Sequence, residues 1–404
     1  MVWIFIWDTA PSKIFVWWSE VASVRAWDTK VRPAFKPKTF TISWTEQSNM
    51  SSWWTYSDDA AWLTAWDSAF DEFFWYYGCR LNTSWQETAT ITQEDSGWAW
   101  KLDITQLWTL TSWDNVMIAF PVRWIKMTKS WSVVTLSITD WLGRESEWYQ
   151  YYAHCTGTLS EPWTPKDVFY LGAYKWYNNS SVLKSWSWKR PTWSLKQSAS
   201  CTYAQANGTW YNIIWFYQRM YVNALYMMKY GNPNSKSTVW IWYADWYSAP
   251  TTWWTNSQTN ATYWTTSATG RVKLFWLEDW WGWINEYVGW AYTDSNKQLY
   301  TMLSNRNWEL SWWEWTWTTI SQTWSYTDLS SIAGDNKVMF APIWTANTSS
   351  WSNYYSVYTV VQASRLAMAG GYYQNSNMSG AFNLQFVVST SSSSGDKGSR
   401  IMFL

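Results

Sequence analysis

Tryptophan occupies positions in this chain where a turn would ordinarily place glycine. Trp17-Trp18, Trp53-Trp54, Trp253-Trp254 and Trp312-Trp313 are pairs followed by Ser, Thr or Glu, and Trp240-Ile241-Trp242 and Trp315-Thr316-Trp317 repeat the spacing of a G-x-G turn. Indole seeks burial of a large surface and a partner for its N–H, yet these stretches carry little other apolar material. The chain has 46 Trp and only 16 Gly in 404 residues. Glycine is thus about 4% of the chain against a usual ~7%, although Ser- and Thr-rich turns use the positive φ that favours glycine. A UGA codon means stop, tryptophan or glycine in different genetic codes. A gene that uses UGA for glycine, translated with a code that reads tryptophan, gives this pattern, and many of these tryptophans are expected to be glycine in the natural protein. The alternative is a Trp-rich carbohydrate binder with indoles as stacking platforms.

The length allows two or three domains and a sizeable core. Lys plus Arg and Asp plus Glu are 29 each, so the formal net charge is zero. Nothing electrostatic then points to nucleic acid or an anionic membrane as partner. No apolar run approaches the roughly 20 residues of a membrane span. Residues 1–7 are apolar but lack a basic leader and a small-residue cleavage site, and read as a strand or anchor. Cys79, Cys155 and Cys201 are too few and too scattered for a disulfide framework or a cysteine zinc site.

Three regions are expected. In residues 1–38, short runs at Lys13–Val16 and Glu20–Val24 suggest a β-hairpin attachment segment, and Arg32–Pro37 a linker. Such leaders weakly resemble the N-termini of phage tail-associated proteins. Residues 39–112 read as a small accessory domain. Within it Thr39–Ser43 alternates like a strand, Ser57-Asp58-Asp59 is placed to cap a helix running to Phe74, and Thr88–Thr92 and Leu102–Ile104 read as strands. Glycine at 62 and 66 would turn that helix into a loop. Residues 113–404 form the third region. Strands are expected at Asn115–Val122 and Val133–Thr139. A helix is expected over Phe216–Tyr230, with Met220, Ala224 and Met227 on one face and Tyr221, Leu225 and Met228 beside them; Gly231 and Pro233 end it. Tyr151–Cys155 reads as strand-like.

Further residues occur in a recognisable order: Tyr170-Leu171-Gly172-Ala173-Tyr174, Ser185-Trp186-Ser187 with Lys189, the end of the long helix with Asn234 and Ser235, then Arg271 and Leu277-Glu278-Asp279-Trp280-Trp281-Gly282 with Glu286-Tyr287-Val288. Arg365, Gly370-Gly371, Gly380-Ala381-Phe382 and the closing Gly398-Ser399-Arg400-Ile401-Met402-Phe403 follow. This succession, over residues 113–404, resembles the formylglycine-generating-enzyme branch of the C-type lectin fold. W-G-x-x-x-E-Y is similar to that family's G-N-V-W-E-W signature, and the ending to its G-x-R strand. The resemblance implies an α+β, C-type-lectin-like domain whose core includes Leu225, Met228, Val272, Leu274, Phe382, Leu384 and Phe386. It also implies glycine at 176, 240, 242 and 276, but true aromatics at Trp186, Trp280 and Trp281.

The family's oxidases use a late cysteine pair that binds copper. No cysteine follows Cys201, so the thiolate that such chemistry requires is missing. His154 is the only histidine and reads as a hydrogen-bonded structural residue. Glu278 and Asp279 read as a turn cap before a catalytic pair. Asp294–Asn296 and Asp335-Asn336 are weak calcium patterns, and no phosphate-binding Gly-rich loop is present. No cofactor and no metal are expected.

The segment from Tyr354 to Ser394 is rich in Tyr, Asn, Ser and Gln. These residues give contact area and adaptable hydrogen bonds at low entropic cost, as binding loops do. The expected ligand-binding residues are Tyr354, Tyr355, Tyr372, Tyr373, Gln374, Asn375, Asn377, Asn383 and Gln385. Alternation places Asn383 and Gln385 on one face and Phe382, Leu384 and Phe386 in the core. In the resembling proteins diversified by retroelements, variable ligand-binding residues occupy this place. The expected function is therefore non-enzymatic binding of a protein or carbohydrate ligand by an extracellular, cell-surface or virion protein, with room for a homo-oligomer. A formylglycine-generating-enzyme-like oxidase or metal-dependent enzyme is the first alternative, and a structural virion or envelope component the second.

Overall fold

In a computed structural model, the structure describes residues 15–16, 19–20, 37–46, 54–84, 86–90, 114–141, 144–160, 162–239, 261–264, 272–282, 284–303, 314–320, 323–346, 355, 358–371, 379–389, 391–393 and 397–404. The chain divides into two compact units, Met1–Pro37 and Lys38–Leu404. In the first, Phe15–Val16 pairs antiparallel with Ser19–Glu20, Val16 facing Ser19. Of the expected runs Lys13–Val16 and Glu20–Val24, only Phe15, Val16 and Glu20 lie among the described residues, and the division follows Pro37.

The second unit is rich in strand with few helices. Alternating β-branched and apolar residues build its strands. Thr39–Thr45 lies between Trp54–Asp58 and Val133–Thr139, and Trp124–Ser130 completes this four-stranded sheet. Phe40, Ile42 and Trp44 are buried, while their neighbours Thr41 and Ser43 face Ser137 and Thr135 at hydrogen-bond distance. A second sheet runs in the order Tyr211–Ile213, Ile401–Phe403, Val168–Gly172, Asn115–Pro121, Tyr77–Leu81 and Glu87–Thr90. The largest sheet is centred on Asn285–Thr293, Arg365–Ala369, Leu384–Val388 and Tyr358–Val361.

These pairings correct the expected boundary at residue 112. Thr39–Thr45 pairs with Val133–Thr139 along its whole length, and Tyr77–Leu81 pairs with Asn115–Pro121. Among the described residues, strands from 39–90 are thus integral to sheets that include strands of the larger region.

The long helix spans Phe216–Tyr230, and every one of its residues is buried. It ends as expected at Gly231, with φ 66° and its N–H donated to the Met227 carbonyl. Leu225, Met228, Val272, Leu274, Phe382, Leu384 and Phe386 are all buried in one unit. The helix expected from Ser57 to Phe74 is corrected to Ala69–Phe74, because Ser57 and Asp58 belong to a strand. Trp66, at φ 76°, stands where a helix cannot continue. The run Tyr151–Cys155 is also corrected: Tyr152–His154 forms a short 3-10 turn. Leu102–Ile104 lies outside the described residues. Among the described residues no helix is long and apolar enough to cross a membrane.

Candidate ligand-binding segment

The Tyr- and Asn-rich residues 372–378 are flanked by the glycine pair Gly370-Gly371 and by Ser379 to Phe382. Gly370 and Gly371 have φ 87° and 77°. The Gly370 N–H donates to the Asn383 carbonyl at 3.2 Å, and the Gly370 carbonyl accepts from Gly282 N–H at 2.8 Å. A Cβ at Gly370 would lie 3.2 Å from the Trp280 carbonyl oxygen, so glycine fits both the φ and the close approach. On the return side, Ala381 N–H donates to Ser235 Oγ at 3.0 Å, and its carbonyl accepts from Asn223 Nδ2 at 2.9 Å. Phe382 packs against Tyr226, Phe340 and Tyr355. Both ends of residues 372–378 are therefore fixed to the helix and sheet core.

Beneath these ends lies a buried ionic cluster. Arg219 Nη1 donates to Glu286 Oε2 at 2.7 Å, Arg400 Nη2 lies 3.1 Å from Glu286 Oε1, and Lys175 Nζ lies 3.8 Å from the same oxygen. All four side chains are essentially inaccessible to water. Further donors reach backbone carbonyls, Arg219 Nη2 at Trp280, Arg400 at Gly172, Ala173 and Glu278, and Lys175 at Gly282 and Ile284, while Arg219 Nε has no hydrogen-bond partner. Burial alone would raise the Glu286 carboxyl, but Arg400, Lys175 and Arg219 outweigh it and hold it below the usual range. Burial pushes Lys175 down to about 8 and Arg219 down to about 10, in each case against the pull of Glu286. Trp280 lies on Arg219 at 3.8 Å, and its N–H donates to Asn223 Oδ1. A continuous chain of contacts so runs from Glu286 through Arg219, Trp280 and Asn223 to Ala381.

Tyr354, Tyr372, Tyr373, Gln374, Asn375 and Asn377 lie outside the described residues. Three other expected residues are buried. Tyr355 donates its hydroxyl to Glu46 Oε1 at 2.8 Å, and Gln385 Nε2 donates to Asn383 Oδ1 at 3.0 Å. Both faces of Leu384–Val388 are covered, since Leu384, Gln385 and Phe386 are all buried. This corrects the exposed polar face expected for Asn383 and Gln385.

The sequence did not single out Glu46, Lys129, Arg219 or Asn223. Glu46 takes the Tyr355 hydroxyl, the Ile332 N–H, the Ser331 hydroxyl and the Lys129 ammonium, the last at 2.6 Å. Arg219 carried a signal, as one of two cations in a largely aromatic and apolar helix that is buried throughout. Nothing local marks Glu46, whose partners come from far along the chain.

Groups with chemical potential elsewhere are buried or accept backbone N–H groups at turns. His154 is buried, its Nε2 lies 3.0 Å from the Phe120 carbonyl oxygen, and burial lowers its pKa to about 3. Cys79, Cys155 and Cys201 are free and buried, and burial pushes the Cys79 and Cys155 thiols up. Glu278 and Asp279 are buried, and Lys273, facing Glu278 across a hairpin, is pushed down to about 7 by burial. Asp294 accepts the N–H groups of Asn296 and Gln298, and Asp335 those of Lys337 and Val338, so both carboxylates cap turns. Among the described residues no three His, Cys, Asp or Glu side chains are grouped to hold a metal ion. No protein-family model matches the chain, and no curated protein matches it.

Proposed function

We propose that Lys38–Leu404 is a C-type-lectin-like domain of the formylglycine-generating-enzyme branch that binds a protein or carbohydrate ligand without catalysis. Residues 372–377 carry the contact. The reading rests on one observation above all: a Tyr- and Asn-rich segment is anchored at both ends to a rigid, charge-locked core. Binding loops combine adaptable side chains with such a fixed scaffold. Gly370 and Gly371, both at positive φ, precede the segment, and the buried Phe382 follows it. The oxidase alternative needs a late pair of thiolates, and no cysteine follows Cys201. The protein then works at a cell or virion surface, where it displays this segment.

The test replaces Tyr372, Tyr373, Asn375 and Asn377 together with alanine and measures binding to arrayed glycans and cell-surface proteins. Truncating aromatic anchors costs about 2 kcal/mol or more of binding, whereas surface substitutions change stability by only about 0.5 kcal/mol. The expected result is lost binding with an unchanged melting temperature. Binding like that of the parent chain places the site elsewhere, and an unfolded variant makes these residues structural.

A further inference from the structure

Sixteen described residues other than glycine have φ in the left-handed region. Seven of them are tryptophan: Trp66, Trp75, Trp131, Trp148, Trp188, Trp276 and Trp290. Asparagine, which tolerates that region well, contributes none. We infer that these seven positions are glycine in the protein made by its own organism, encoded by a codon that organism reads as glycine. The inference is independent of the proposed binding function.

Each position in a regular element has the geometry for which glycine is the ordinary solution. The short helix Ala69–Phe74 ends at Trp75, with φ 55°, ψ 34° and its N–H donated to Asp71. The long helix ends in the same way at a residue that is glycine, Gly231, with φ 66° and its N–H donated to Met227. Two helices thus share one left-handed ending, and only one carries the residue suited to it. The strands Trp124–Ser130 and Val133–Thr139 pair Ser130 with Val133, leaving a loop of Trp131 and Ser132. Two-residue hairpin loops use turns with positive φ, glycine above all. Trp131 has φ 57°, and its side chain is 95% exposed. In the hairpin where Leu274 faces Leu277, Phe275 and Trp276 both have positive φ, the pattern whose second residue is typically glycine. Trp290 follows Gly289 inside the strand Asn285–Thr293, at φ 59°, where the register with Arg365–Ala369 shifts between Tyr287 and Tyr292. A bulge residue in this conformation is again a glycine position.

Burial points the same way at five of the seven, whereas Trp290 is buried against Trp215 and rests on its backbone alone. Trp66, Trp75, Trp131, Trp148 and Trp188 are exposed, so these indoles gain little from the solvent that tryptophan normally leaves. Trp276 is buried, and its N–H has no hydrogen-bond partner. By contrast Trp280 is buried with its N–H on Asn223 and an ordinary φ, and stays tryptophan. Trp176, which the family resemblance would make glycine, is likewise buried and donates to the Thr192 carbonyl at 2.8 Å. It is left out of the seven. Trp54 is half-buried in a strand, and Trp17, Trp18, Trp53, Trp253, Trp254, Trp312 and Trp313 lie outside the described residues.

Peptide mass spectrometry of the protein purified from its source organism tests this. Peptides spanning the seven positions are expected to carry the mass of glycine at each, and the peptide spanning Trp280 that of tryptophan there. Tryptophan at the seven positions overturns the inference. A second measurement uses recombinant protein: the variant W66G/W75G/W131G/W148G/W188G is expected to melt at a higher temperature than the chain as written. A lower melting temperature contradicts glycine as the residue that these backbones require.

Discussion

Trp131 and Gly231 both have left-handed backbones, and opposite substitutions there have opposite expected effects. Left-handed backbone costs a residue with a Cβ about 1–2 kcal/mol, and glycine relieves it at the expense of a freer unfolded chain. Trp131→Gly is therefore expected to stabilise by about 0.5–1 kcal/mol, read as a higher urea midpoint. Gly231→Ala is expected to destabilise by at least 1–2 kcal/mol or so, since an added Cβ would also lie 2.5 Å from Trp54 Nε1. His154 sets a pH dependence. Its folded pKa of about 3 lies below the ordinary 6.5, so between these values the unfolded chain takes up a proton that the folded chain refuses. Stability falls as pH drops from about 6.5 toward about 3. His154→Gln, which keeps a donor for Phe120, is expected to flatten this part of the stability–pH curve. The sequence identified His154 as a structural histidine because it stood alone. It gave no sign of Tyr355 donating to Glu46, since those residues are 309 positions apart.

Among the elements, the helix Phe216–Tyr230 was the most legible. Apolar side chains recur at helical spacing, and Gly231 with Pro233 marks the end. Strands such as Val133–Thr139 were legible for a similar reason, their period of two. The segment Ser57–Phe74 misled because Ser57-Asp58-Asp59 has the composition of a helix cap while its residues pair with Thr39–Thr45 instead. The long helix also carries Arg219 into the ionic cluster. Glu286→Gln leaves Arg219, Arg400 and Lys175 without their shared carboxylate, and removing one partner of a buried ion pair costs about 3–5 kcal/mol. That variant is expected to lose most of its soluble yield or denaturant resistance. Leu225→Ala, at a fully buried site on the same helix, is expected to cost about 2–5 kcal/mol through lost burial and the cavity left.

For the whole molecule, the pairing of Thr39–Thr45 with Val133–Thr139 and of Tyr77–Leu81 with Asn115–Pro121 decides what folds alone. A chain of residues 38–404 is expected to melt cooperatively near the temperature of the full chain. A chain of residues 113–404 lacks strands from two sheets and is expected to show no cooperative transition. The division expected at 112 followed the start of the family resemblance at 113; strand partners so distant in sequence leave no local trace of their pairing. The same frame holds Gly370 and Phe382, which flank the proposed binding segment, and the location of ligand contact is the central claim. Hydrogen–deuterium exchange with and without a captured ligand reads that location directly. New protection confined to residues 370–380 is the predicted result, and protection around Val272–Trp281 with 370–380 unchanged would contradict it.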